Sequence, residues 1–191
     1  MCVRCHERKA IRSCHFQKGI SIDSKIIRAI EQIPLPHNKK GMQSFMGTIN
    51  FVRSFVPDFA QIVKPLQQMV KQSVQFKWTD SEKGALNKIK MFIAHAPSLK
   101  SPNFKNNFIL YTFASDDSLP AVIMQKEEGG DEYPISFMST GLQGAGLNYP
   151  AVDKQAYAVF KAVKQFRSYI LNNRTKVIVP HPAVRTLFVQ K

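Results

Sequence analysis

Acid is what this sequence is short of: 13 Asp and Glu stand against 27 Lys and Arg in 191 residues, a net charge of +14. A pI near 9.9 points to a polyanionic partner, the alternative being a generic basic surface. Residues 1–100 carry 17 Lys and Arg against 6 acids and residues 101–191 carry 10 against 7, so the first half supplies +11 of the +14. Cysteine is also scarce, with 3 residues, all within the first fourteen. That number cannot staple a fold of this length, and reduced thiols are expected. No apolar run is long enough to span a bilayer, and the opening MCVRCHERK lacks the apolar stretch of a signal peptide. A soluble intracellular protein of cytoplasm or nucleus, with no membrane partner, follows as the expectation. Internal repeats and low-complexity tracts are absent as well.

What is there begins with the run Phe108 to Met124, which reads as two apolar strands folded on each other. Phe108 to Phe113 is apolar, aromatic or β-branched throughout, the pattern of a central strand covered on both faces. Ser115, Asp116, Asp117 and Ser118 break it with turn-forming side chains. Ala121 to Met124 resumes it, Gln125 to Gly130 ends it in a solvated turn, and Tyr133 to Met138 forms a third strand.

Earlier in the chain the periodicity is helical. Ser24 caps a helix to Ile33 with Ile26, Ile27, Ile30 and Ile33 inside, and Pro34-Leu35-Pro36 is a stiff linker. Asn38 caps a second helix, in which Met42, Phe45, Met46, Ile49, Val52 and Phe55 form a stripe that excludes Lys39, Lys40 and Arg53. Pro57 interrupts it, and Pro65 fits the first turn of a third helix carrying Leu66, Met69 and Val70. Phe76 and Trp78 pair, and Thr79 to Glu82 is a capping box opening a fourth helix with Leu86, Ile89, Phe92 and Ile93 inside. The spacing of the methionines and aromatics makes them core, not stacking platforms.

After a polar loop from Gly141 to Asn148, Pro150 opens the longest helix. Ala156, Val159, Phe160, Val163, Phe166 and Ile170 are expected to face the core, with Lys154, Lys161, Lys164 and Arg167 outside. A strand from Thr175 to Val179 and a short final helix follow. The fold class is α/β: a helical segment, then β-β-β-α-β-α. Cys2-x-x-Cys5-His6 matches the haem-attachment pattern, and with Cys14 and His15 it could be bent into a zinc set. Haem attachment needs export, and a second pair at finger spacing is missing. Residues 1–19 read as an irregular leader with no metal site.

From about Gly19 onward the chain resembles the pol polyprotein of gypsy-type LTR retrotransposons, where reverse transcriptase joins ribonuclease H. The resemblance rests on Gly19 to Asp23, on Ser44 to Gly47 through Phe51, and on Arg53 to Phe59 with Lys64-Pro65-Leu66. It continues in Phe76 to Thr79, Ala96 to Leu99, Pro102 to Phe104, Pro134 to Ser139, Leu147 to Tyr149 and Asp153 to Ala158. Tyr111 to Ser115 and Lys176 to Pro180 are most similar to plant Tat or Ogre elements. The resemblance implies thumb and connection helices over residues 20–96 and a ribonuclease H-like mixed sheet over 97–191, truncated at its C-terminus. It implies an edge left open beside the last strand, because the family sheet has a fifth strand. The partners it implies are an RNA–DNA hybrid or duplex held by its backbone, and the remainder of the pol polyprotein.

The departures bear on activity. No Tyr-x-Asp-Asp polymerase motif is present; the adjacent aspartates Asp116 and Asp117 lie in the hairpin turn. The family nuclease holds two Mg²⁺ ions about four ångströms apart on carboxylates. Its first Asp falls on Phe113, its helical Glu on Gln155 and its next Asp on Pro180. Asp153 lies about 200° around a helix from Gln155 and cannot replace it; Asp116, Asp117 and Asp153 read as solvated turn and cap residues. The expectation is a non-catalytic fragment with no cofactor. It would grip a duplex through Lys39, Lys40, Arg53, Lys64, Lys71, Lys161, Lys164 and Arg167. Two readings stand beside it: an active Mg²⁺-dependent hybrid nuclease, and a decayed relic without function.

Overall fold

Side-chain caps set the starts of three of the four helices in the first half of the chain. The computed structural model describes residues 13–16, 19–71, 73–96, 98–127 and 129–189. Strands β1 (Ser13–Phe16) and β2 (Gly19–Ile22) pair antiparallel, so part of the expected irregular leader is a hairpin; Cys2, Cys5 and His6 lie outside the described residues. Helix α1 (Ser24–Gln32) is capped by Asp23, not Ser24: the Asp23 carboxylate accepts from Lys25 N at 2.8 Å. An acidic cap one residue earlier satisfies the same free N–H groups and favours the positive end of the helix dipole.

Asn38 caps α2 (Lys39–Asn50) by accepting from Gly41 N at 2.7 Å, and a 3₁₀ turn (Phe51–Phe55) continues its axis. Helix α3 (Phe59–Val70) starts before Pro65, which therefore sits inside it and not in its first turn. The Pro57-Asp58 bend begins the helix early: Asp58 has φ 46°, the one left-handed non-glycine among the described residues. Helix α4 (Asp80–Ala94) opens on the Thr79–Glu82 capping box. Phe76 and Trp78 meet edge to face at 6.4 Å, and Trp78 Nε1 donates to Pro36 O at 2.9 Å, tying the Pro-Leu-Pro linker down. Ile30, Met42, Ile49, Leu66, Ile89 and Ile93 are fully buried in one core. Burying each such side chain stabilises by about 1.5–3 kcal/mol.

The second half is a four-stranded mixed sheet in the order β5-β4-β3-β6. Strands β3 (Phe108–Thr112), β4 (Ser118–Lys126) and β5 (Glu132–Gly141) form an antiparallel meander. A bulge sits in β5 where Met124 faces Pro134, so a residue without an N–H lies at an edge that does not need one. Helix α5 (Ala151–Gln165) crosses one face, with α6 (Arg167–Ile170) after it. Strand β6 (Thr175–Ile178) then pairs parallel with β3, and α7 (Pro182–Val189) ends the described chain. The expected order β-β-β-α-β-α is present, with β6 at the sheet edge.

Three details of this half differ from the sequence reading. Strand β3 stops at Thr112, leaving Phe113 outside it and 56% exposed instead of buried. Gln125 is fully buried, not in a solvated turn; its carboxamide bridges Asn103 and Asn106. The buried face of α5 is Lys154, Gln155, Ala158, Val159 and Ala162, with Phe166 just beyond, while Phe160 (57%) and Val163 are exposed. Alanines let the helix approach the sheet closely, and the two long polar side chains are accepted because each finds an acceptor, Gln155 at the buried Thr112 and Lys154 at the Asp116 carbonyl.

Candidate functional site

The ends of β3 and β6 bring together the positions where the resemblance puts metal ligands. Phe113 N donates to Pro120 O at 3.0 Å, fixing the chain as it leaves β3. Its ring and Pro180, just past β6, line one apolar cleft of about 330 Å³ with Tyr111, Val122, Phe137 and Pro57. Gln155 reaches the same end of the sheet from α5, where its Nε2 donates to Thr112 O and Thr112 Oγ1, both at 3.1 Å. A ring, a pyrrolidine and an amide nitrogen aimed at a carbonyl offer no anionic oxygen, so these side chains do not fit a pair of divalent cations. Among the described residues, no three His, Cys, Asp or Glu gather closely enough to hold a metal ion.

Two of the nearby acids, Asp58 and Asp117, are engaged elsewhere. Asp58 also lines the cleft, but its Oδ1 accepts from Ser118 Oγ at 2.9 Å and Ser139 Oγ at 3.1 Å. Ser139 Oγ accepts in turn from Ala60 N at 3.2 Å, so this carboxylate joins the helical half to the sheet. Asp117 is ion-paired with Lys64 of α3 and is only 17% exposed; it is not a solvated turn residue. Asp116 contributes its backbone carbonyl, which accepts from the buried Lys154 Nζ at 2.9 Å. Asp153 is exposed in the first turn of α5, as a cap residue would be. The Tyr111 hydroxyl donates to Glu132 at 2.7 Å, raising the phenol above its usual range; this bond, aided by Lys126 and Lys176, lowers the Glu132 carboxyl.

The eight expected cations occupy separate places. Lys39 Nζ donates to Lys71 O at 2.7 Å, so these two adjoin at the end of α3. Lys64 is neutralised by Asp117, which removes it as an open phosphate contact. Lys161 lies over the Tyr157 ring at 5.0 Å, and Tyr157 stacks on the exposed Phe160 at 6.3 Å. Lys40, Lys164 and Arg167 are exposed. Arg53 is brought against β5 and the end of α5, where a polar cavity joins it to Asn50, Ser54, Ser136, Thr140 and Gln165. Sequence reasoning found Arg53 and missed its neighbours, because they come from three separate elements and share no local pattern. Asp58 was missed for the same reason: its serine partners lie 60 and 81 residues away.

Residues 78–177, just over half the chain, match the family described as the RNase H-like domain found in reverse transcriptase, and the chain belongs to that family. The Transposon Tf2-3 and Tf2-4 polyproteins of Schizosaccharomyces pombe are 32% identical to it over 154 residues, 81% of this chain. The chain spans about 12% of the length of these relatives. Among solved structures, a foamy viral protease-reverse transcriptase in complex with RNA/DNA hybrid is similar at TM-score 0.73 and 26% identity, covering 84% of this chain and 22% of that one. A foamy viral protease-reverse transcriptase in complex with dsDNA shares the fold at TM-score 0.77 and 24% identity, over 91% of this chain and 36% of that one. No helix among the described residues is long and apolar enough to cross a membrane.

Proposed function

We propose that the chain is a non-catalytic reverse transcriptase and RNase H-like segment of an LTR retrotransposon pol polyprotein, of the gypsy type and nearest plant Tat or Ogre elements. Its work is to hold an RNA–DNA hybrid or DNA duplex by the backbone, beside the rest of that polyprotein. The observation that carries the loss of catalysis is the end of the sheet, where Phe113, Gln155 and Pro180 stand at the positions the resemblance gives to ligands and Asp58 and Asp117 are bonded within the protein. The charge of +14 and the similar foamy viral enzyme solved with RNA/DNA hybrid support the binding role. Family membership alone favours the rival, a metal-dependent hybrid nuclease.

Equilibrium binding of a mixed-sequence duplex across a salt series tests the reading. The expected plot of log K against log salt is steep, with a slope of about −0.9 per phosphate neutralised on B-form DNA. Lys40→Glu, Lys164→Glu and Arg167→Glu together should weaken binding at least tenfold. A flat salt dependence, or unchanged affinity in the triple variant, would mean that the positive charge is a generic basic surface.

A further inference from the structure

The cavity around Arg53 differs in chemistry from the apolar cleft. It encloses about 270 Å³ between the 3₁₀ turn Phe51–Phe55, strand β5 and the last turn of α5. Asn50 lines it from the end of α2, Arg53 and Ser54 from the turn, Ser136 and Thr140 from β5, and Gln165 from α5, with no carboxylate among its walls. Among the described residues, the side chains of Asn50, Arg53, Ser54, Thr140 and Gln165 have no hydrogen-bond or ion-pair partner, and Ser136 Oγ has only a 3.5 Å contact to the Phe137 carbonyl. Ser139 also lines the cavity, but its hydroxyl is fixed between Asp58 and Ala60, so it stiffens the wall. A guanidinium, two carboxamides and three hydroxyls thus converge on one concave space with their donors free.

We infer that this cavity is a phosphate site, taking one phosphodiester of a nucleic-acid backbone. The planar fork of Arg53 matches two phosphate oxygens at once, and the hydroxyl and carboxamide donors of its neighbours can reach the others. A metal cation is disfavoured by the guanidinium. Lys164 and Arg167, next to Gln165 in the chain, are exposed and add positive charge to this end of α5 and to α6. Because its walls come from both halves of the protein, a phosphate held here would fix the register of a strand against the sheet and the helices together. The inference rests on the backbone-binding reading and names one position within it.

The test uses the full chain, labelled with ¹⁵N, titrated in turn with inorganic phosphate and with a short mixed-sequence DNA duplex. Both ligands should move the Arg53 Nε–H resonance and the side-chain amides of Asn50 and Gln165. Arg53→Gln should abolish the phosphate response, lower duplex affinity about tenfold and reduce the salt slope by about 1. Arg53→Lys keeps the charge but not the fork; it should restore part of the duplex affinity while the amide shifts stay weak. Arg53 is exposed, so these variants do not disturb the core, and Thr140→Val checks the opposite wall by weakening the phosphate response. Shifts with phosphate but none with duplex would leave the anion site standing and remove the duplex reading. Duplex binding that leaves these resonances unmoved would do the reverse and overturn this inference, and silence with both ligands would overturn both.

Discussion

Two places in this molecule show what its few acids do. At the end of β3 and β6, where the resemblance puts metal ligands, Phe113 and Pro180 line an apolar cleft and Gln155 is buried against Thr112. At the junction of the helical half and the sheet, a few residues away, Asp58 binds two serines and Asp117 binds Lys64. Asp58 and Asp117 thus stand where the two halves join, while the Phe113, Gln155 and Pro180 positions carry no carboxylate. The difference teaches where acid is placed: near the sheet end, Asp58 and Asp117 link the two halves.

Putting an acid back where the fold has closed over an amide should have the largest effect. In Gln155→Glu a carboxylate would replace the amide that donates to Thr112 O, burying a charge against an acceptor, and should cost about 3 kcal/mol at neutral pH. Burial would raise the folded pKa of the introduced carboxyl above its unfolded value of about 4.3. The protonated form is the one the folded state accepts more readily, so the deficit should shrink as pH falls through that raised value. Urea unfolding at several pH values checks this, and a pH-independent deficit would place the side chain in water.

Removing an acid from the junction comes next. Asp58→Ala loses an acceptor shared by Ser118 and Ser139 and leaves a non-glycine at φ 46°, a loss of about 2 kcal/mol. Asp58→Asn keeps an acceptor and tolerates the left-handed backbone, so about half the loss is expected. Equal unfolding midpoints for wild type and Asp58→Ala would show that the Asp58 links do not hold the two halves together.

The capping acid is worth less. The Thr79 side chain bonded to Glu82 lowers the Glu82 carboxyl, so its stabilisation is present above the unfolded pKa and is lost as pH falls through the folded one. Thr79→Ala should cost about 1 kcal/mol at neutral pH, and the gap from wild type should narrow in acid. The smallest effect belongs to Phe113→Asp. A ring that is 56% exposed and outside the strand should cost less than about 1 kcal/mol when replaced, where a buried position would cost several.

These differences mark what the sequence could and could not disclose. Asn38, the Thr79–Glu82 box and the apolar stripe from Met42 to Phe55 were legible because each is local: a cap and its partner lie within one turn. The hairpin was legible from its turn residues. The face of α5 was not, because apolar side chains lie on two sides of it. Phe160 outranks Ala158 in hydrophobicity, yet the closeness of helix and sheet favours the alanine, and Tyr157 and Lys161 occupy the outer side with Phe160. Continuity of apolar residues likewise carried β3 one residue too far, to Phe113. At the site, three ligand positions could be aligned by resemblance, but the links through Asp58 and the polar walls around Arg53 join segments far apart in the chain. No periodicity encodes them.

The proposed function stands or falls on whether the sheet end performs metal-dependent chemistry. Incubation of an end-labelled RNA–DNA hybrid with the full chain and Mg²⁺ or Mn²⁺ tests it most directly. The account predicts hybrid as intact as in a protein-free control, for the wild-type chain and for Phe113→Asp alike, since one carboxylate cannot hold two ions. Metal-dependent cleavage that disappears in Asp58→Asn, Asp117→Asn or Asp153→Asn would contradict it and make those acids ligands.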